Sequence, residues 1–283
     1  MKVSYLGPEA SFTQLAARKI FGETDFISKT TILDCFLSVE SEEADHAVVP
    51  LENSIEGTVS MTLDLLHSFG NMYILSELIM PISHHLMVYP GNAEFDRIFS
   101  HPQALAQTFH FRFENYKEIP TQDFSSTAAS AKKVSENPDK RWAAIANSYA
   151  AELYGLKILH ENIQDVAYNY TRFIVISGKE LLPALPYAPV RKKASIIVVL
   201  PEDHAGGLHQ VLSVFAWRKL NLSKIESRTL KTGLGNYFFF INVDIDVDGE
   251  WQDILFRNSL EELEAIGASV KFLGHYGEFL IGS

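Results

Sequence analysis

The sequence predicts an α/β protein in two parts, and three observations carry that reading. Strand-like and helix-like segments alternate from Met1 to Ser177, the pattern of a largely parallel sheet with helices on both faces. Gly178 to Lys193 then carries Pro183, Pro186 and Pro189 and ends on three basic residues, which reads as a stiffened linker. Beyond it the order βαββαβ is that of a ferredoxin-like module. The expected parts are therefore 1–178, a linker over 179–193, and 194–283.

Taken in order, Val3 to Leu6 is a strand, Gly7-Pro8 a turn, and Ser11-Phe12-Thr13-Gln14 a capping box opening a helix that ends at Phe21 before Gly22. Ile32 to Val39 reads as helix. Ala47-Val48-Val49-Pro50 reads as a strand that the proline ends. Tyr73 to Ile82 and His84 to Tyr89 are extended segments parted by Pro81 and Ser83, and they mark the passage from one lobe to another. Arg97 to Phe99 leads into Ser100-His101-Pro102-Gln103, a second capping box with proline in the first turn. Lys117 to Thr121 is a short strand, Ser125 to Ala129 opens a helix, and Trp142 to Ala146 is a strand. Ser148 to Tyr154 is a helix stopped by Gly155, Leu156 to Leu159 a strand, and Asn169 to Ile176 the last of the series. In the second part Ser195 to Leu200, Leu222 to Arg228, Asn236 to Val243 and Val270 to Leu273 read as strands. Helices are expected around Leu208 to Phe215 and over Asp253 to Ala268, and Gly233-Leu234-Gly235 as a hairpin turn.

Composition bounds the function. With 283 residues, 47% of them hydrophobic, the chain can build real cores. Its net charge of -11 argues against nucleic acid or an anionic membrane as partner, so an anionic ligand needs a local cluster of donors. One cysteine, Cys35, excludes an internal disulfide framework, and its helical setting suits a buried inert thiol. No CxxC or HExxH spacing suggests a metal, and no GxGxxG or GxxxxGK[ST] fingerprint a nucleotide. His84-His85, with no third ligand at a familiar spacing, reads as two strand positions. The start shows no export signal and no apolar run is long enough to span a bilayer, so a cytoplasmic protein is expected.

Polar residues cluster where open α/β sheets hold ligands, at the carboxyl ends of strands. Leu51 to Thr58 brings Glu52, Asn53 and Glu56 into one short loop, where capping alone needs fewer carboxylates. Ser100, Gln103 and Gln107 fall on one helical face; a plain amphipathic helix explains the first two and leaves Gln107 over. Ser126 and Thr127 open another helix, whose N–H groups suit a carboxylate. Thr171 and Arg172 stand at the mouth of the buried run Phe173 to Ile176. They either start a strand and pair on the surface, or both border one cavity. In the second part, Gly206-Gly207 before a helix and Glu226-Ser227-Arg228-Thr229 at a strand end suggest a second pocket, with turn and surface roles as the plain alternative.

These motifs, in this order, resemble prephenate dehydratase followed by an ACT regulatory domain. They are Tyr5 to Phe12, Val49 to Gly57, Ser100 to Leu105, Ser126-Thr127-Ala128 and Thr171-Arg172-Phe173. In the second part Gly206-Gly207-Leu208 is similar to the family's Gly-Ala-Leu, and Glu226-Ser227-Arg228-Thr229 to its Glu-Ser-Arg-Pro. Gly207 and Thr229 are the departures, and they bear on how tightly an effector binds. The resemblance implies a two-lobed catalytic domain like a type II periplasmic binding protein. It also implies conversion of prephenate to phenylpyruvate, water and carbon dioxide without a cofactor, on the way to phenylalanine. By it Thr171 is catalytic, with Glu52, Asn53, Ser100 and Gln107 at the cleft. Because the chain as a whole is acidic, the helix starts at Ser11, Ser100 and Ser126-Thr127, with Arg172, are expected to hold the two substrate carboxylates. Phenylalanine is expected to inhibit from a site made by Gly206, Gly207, Leu208, Glu226, Ser227 and Arg228, in a homodimer or homotetramer assembled through ACT domains. Arogenate dehydratase, and a two-lobed binding protein without turnover, are the alternatives.

Overall fold

The computed structural model describes residues 1–180, 188–202, 204–230, 237–245 and 250–281. The first lobe holds β1 (Lys2–Leu6), α1 (Phe12–Phe21), β2 (Asp25–Lys29), α2 (Ile32–Glu40), β3 (His46–Asn53), β4 (Gly57–Thr58), α3 (Ser60–Ser68) and β5 (Tyr73–Pro81). The second holds β6 (His85–Val88), β7 (Arg97–Ser100), α4 (Pro102–Gln107), α5 (Phe109–Tyr116), β8 (Thr121–Asp123), α6 (Thr127–Ser135), β9 (Trp142–Ala146), α7 (Ser148–Tyr154) and β10 (Lys157–His160). The chain then returns to the first lobe as β11 (Tyr170–Ser177). The C-terminal module is β12 (Arg191–Val199), α8 (Gly207–Trp217), β13 (Leu222–Thr229), β14 (Tyr237–Ile245), α9 (Glu250–Ala265) and β15 (Ser269–Leu280).

Local chemistry sets the helix ends. Ser11 accepts from Gln14 N at 3.2 Å while the Gln14 side chain accepts from Ala10 N at 2.6 Å, so α1 starts with two backbone donors satisfied. Asn147 caps α7 by accepting from Ala150 N at 2.8 Å, and Gly155, at φ 62°, ends it in the left-handed region.

The second lobe is a five-stranded sheet in the order β10-β6-β9-β7-β8. The larger sheet runs β13-β14-β12-β15-β5-β11-β3-β1-β2, so module and first lobe share it. The link is β15. It pairs with β12 from Ser269 to Glu278, and on its other side its far end, Gly277 to Leu280, runs parallel to β5. The core is also shared: Cys35, Phe36, Leu63 and Leu66 of the first lobe pack in one cluster with Ile197, Phe238, Phe240 and Leu273 of the module. Burial pushes the Cys35 thiol up to about 12, as an inert core position requires.

Several expectations change. The large sheet is mixed, because β11 runs antiparallel to both β3 and β5. Pro50 does not end its strand; β3 continues to Asn53, with an irregularity of register opposite Arg172 and Phe173 that accommodates a residue lacking an N–H. Lys117 to Thr121 is largely not strand: α5 reaches Tyr116 and β8 begins at Thr121. Arg191 to Lys193 belong to β12 rather than to a linker. The final strand extends seven residues past Leu273, to Leu280. Part of the linker and the turn at Gly233-Leu234-Gly235 lie outside the described residues.

Candidate active site

A cavity of about 490 Å³ opens between the lobes, within the range of small-molecule sites. Thr171 lines it from β11, Asn53 from the end of β3, Gln103 and Gln107 from α4, and Ser11 and Ser126-Thr127 from the starts of α1 and α6. Thr171 stands directly opposite Asn53 in the ladder and is 8% exposed.

Hydrogen bonds fix the orientation of each amide here. Asn53 Oδ1 accepts from the backbone N–H groups of Ile55 at 2.9 Å and Glu56 at 3.0 Å, closing the β3–β4 turn. Its Nδ2 must then face the cleft. It donates to Thr171 Oγ1 at 2.8 Å and to Asn169 Oδ1 at 2.9 Å. Asn169 Nδ2 donates in turn to Gln107 Oε1 at 3.1 Å. The same oxygen lies 3.0 Å from His84 Nε2, which therefore carries the proton. Burial lowers the His84 pKa against the opposing pull of Gln107, so this ring is neutral, and Phe12 meets it edge-on at 5.7 Å.

Two donors remain for a ligand. Thr171 Oγ1 accepts from Asn53, which leaves its own proton to be directed elsewhere. Gln107 Nε2 is buried with no partner among the described residues. Ser126 caps α6 through Ala129 N at 3.0 Å, and Phe12, Thr13, Thr127 and Ala128, the first residues of α1 and α6, line the cavity. No lysine or arginine lines the cavity among the described residues, and none of these residues gathers three metal-ligating side chains.

Three expected cleft residues lie elsewhere. Ser100 is the last residue of β7, not a helix cap; its buried hydroxyl donates to Ile145 O at 2.7 Å, and His101 caps α4 instead. Arg172 alternates to the face opposite Thr171, where Glu52 and Glu77 hold it at 2.8 and 2.7 Å. Glu52 is turned the same way, bound by Arg172 and by Lys224 at 2.9 Å. Burial pushes its carboxyl up, but these two cations outweigh burial and hold it below the ordinary range. Asn169 carries no signal in the sequence beyond its place at the head of a strand, and His84 is expected on a strand. His84 instead lies in the crossing between β5 and β6, and a segment that joins two lobes borders the gap between them.

In the module, Gly206, Gly207 and Leu208 line a separate cavity of about 460 Å³ with Tyr237 and Phe239. Glu226 and Arg228 point away from it, toward the first lobe: Glu226 accepts from Thr58 at 3.0 Å, and Arg228 pairs with Asp64 at 3.1 Å. Ser227 lies between them on β13, opposite Phe239.

The prephenate dehydratase family model matches residues 3–181. A prephenate dehydratase of Bacillus subtilis (strain 168) is 42% identical over 99% of this chain and 99% of its own. Among solved structures, a prephenate dehydratase from Arthrobacter aurescens in complex with L-Phe superposes with a TM-score of 0.83 at 35% identity, covering 98% of this chain and 90% of that one. GqqA, described as a quorum quenching acylase, also reaches 0.83, at 26% identity, over 99% of this chain and 98% of its own.

Proposed function

The chain belongs to the prephenate dehydratase family, and from that premise we propose that the interlobe cleft performs the family's elimination with Thr171 as the hydrogen-bond donor to the departing hydroxyl. The reaction takes prephenate to phenylpyruvate, water and carbon dioxide. The pair of electrons in the bond to the ring carboxylate passes into the ring as carbon dioxide departs. The ring hydroxyl leaves with its own bonding pair and takes up a proton to become water. Aromatisation drives the change, so the protein needs only to place a donor and to keep the departing carboxylate dry.

The observation that supports this reading is the fixed direction of the Asn53 amide. Because Asn53 Nδ2 donates to Thr171 Oγ1, the threonine proton is the one left for the leaving group. A neutral donor held in a partly dry cleft stabilises charge where it develops. With Arg172 committed behind the sheet, the N–H groups at the starts of α1 and α6, together with Gln107 Nε2, hold the substrate carboxylates. An acylase reading would need a base beside Thr171, and its described partner is an amide donor. We place phenylalanine, as effector, at the Gly206-Gly207 cavity of an ACT module that assembles dimers or tetramers, in a chain working in the cytoplasm. No described helix is long and apolar enough to cross a membrane.

The test is phenylpyruvate formation by the purified chain, with prephenate and arogenate compared and phenylalanine titrated. Turnover of prephenate, with the higher kcat/KM and with suppression by phenylalanine, is expected. Binding of prephenate without product would leave only a binding protein.

A further inference from the structure

Thr171 faces the cleft, and the next residue of β11 enters a cluster of charges on the other side of the sheet. There the Arg172 guanidinium lies 2.8 Å from Glu52, 2.7 Å from Glu77 and 3.7 Å from Glu278. Lys193 completes the group, with its ammonium 3.0 Å from Glu77 and in contact with Glu278. Glu77 and Lys193 are both 0% exposed in their side chains. Two of these residues are not from the first lobe at all: Lys193 is on β12 and Glu278 on β15. Glu278 stands beside Glu77 in the parallel β15–β5 ladder, so two carboxylates would face each other there without the lysine between them.

Glu77 Oε1 accepts from Arg172 Nε at 2.9 Å and from Lys193 Nζ at 3.0 Å, so both cations are anchored on one oxygen. Lys224, 2.9 Å from Glu52 and 3.7 Å from Glu226, adds a third cation, and losing a partner of the buried Glu77 or Lys193 leaves a buried charge uncompensated. The ladder from β11 to β5 runs unbroken from Tyr170 to Val175, but on the other side the β11–β3 register shifts between Arg172 and Phe173, next to Thr171, so one of the two ladders is interrupted where the hydroxyl has to be placed.

We propose that Lys193 and Glu278 are positioning residues for Thr171, holding Arg172 and Glu77 so that the irregular start of β11 presents the hydroxyl to the substrate. The C-terminal module is then part of the scaffold of a site it does not touch. This rests on the reading of the cleft given above.

The test is steady-state kinetics on the full chain, with kcat taken per folded molecule from circular dichroism. Lys193→Met is expected to lower kcat by about tenfold or more with KM within about threefold, as for a displaced transition-state donor. Glu278→Gln, which keeps shape and hydrogen bonding, is expected to lower kcat in the same sense by a smaller factor. In a Thr171→Ala background each substitution is expected to change the residual rate by less than about twofold, since its effect runs through that hydroxyl. A role in folding alone would lower Tm and leave kcat per folded molecule unchanged, and that result in both variants overturns the inference. So does an undiminished effect in the Thr171→Ala background. If Lys193→Met does not fold, Glu278→Gln carries the same cycle. Absence of phenylpyruvate from the unmodified chain would instead sink the assignment of the cleft.

Discussion

The two faces of β11 hold opposite chemistries one residue apart. Toward the cleft, Thr171, Asn53, Asn169, Gln107 and His84 form a chain of neutral groups, each oriented by the next. Away from it, Arg172, Glu52, Glu77, Lys193 and Glu278 form a compact lattice of full charges. These neutral groups fix direction without adding a field that would resist a dianionic substrate, and they leave two donors, Thr171 Oγ1 and Gln107 Nε2. Charges packed out of water fix position strongly but would be a poor lining for a site that must release its product. One strand thus separates aiming from anchoring.

That separation makes its own tests. The largest effect is expected from Thr171→Ala, which should lower kcat by roughly 10²- to 10⁴-fold, the range of one positioned proton donor. Its urea-denaturation stability should stay within about 1 kcal/mol of the parent, because only one hydroxyl is removed. Glu77→Gln attacks the other face and should reverse the balance. Leaving Arg172 and Lys193 short of one buried carboxylate is expected to destabilise the fold by about 3–5 kcal/mol in the same urea experiment. If Glu77→Gln were as stable as the parent, the charged face would not be the anchor described here.

A smaller effect is expected from the module's own cavity. Phenylalanine should lower activity by about 5- to 150-fold at saturation, the usual span of coupling between two sites. Gly207→Ala brings a methyl to within 2.8 Å of the end of the Leu200 side chain, which can turn aside. That variant should stay active without effector and shift only the midpoint of the phenylalanine titration. An unchanged midpoint would remove Gly207 from the effector site.

The sequence made one half of this strand legible and hid the other. Thr171, Asn53 and Gln107 were readable because polar residues at strand ends and a surplus glutamine on a helix face have few structural reasons to be there. The capping box at Ser11 and the stop at Gly155 made α1 and α7 legible almost to the residue, since their signals are local. Arg172 and Glu52 were misplaced because the face a side chain takes depends on register, and the β3–β11 register carries an irregularity beside Pro50 that no local pattern announces. Ser100 was misplaced because β7 runs on to include it and His101 takes the cap of α4. The tail of β15 was missed because Gly277 to Leu280 pairs with β5, some 200 residues earlier in the chain. Lys193, taken for the end of a basic linker, is legible as a core residue only once both of its carboxylate partners are in place.

The mildest test uses pH, and it separates the two faces by where they titrate. Burial lowers the pKa of His84 from the ordinary 6.5, and burial likewise lowers His46 and His85. Each is therefore neutral in the folded chain at pH values where the unfolded chain has begun to protonate it. The unfolded state binds more protons in that window, so their contribution to stability is complete above about pH 6.5 and is lost as the pH falls below it. The carboxylates behind the strand behave in the same sense but lower down. Glu52 and Glu278 are held below their ordinary 4.5, so their contribution is complete above that value and is lost only as the pH falls further. Urea midpoints measured across both windows should show two separate declines. His84→Gln, which keeps a donor for Gln107, should flatten the upper one and leave the lower one in place. An upper decline that is identical in this variant would mean that the other histidines lowered by burial produce it and that folding does not shift His84.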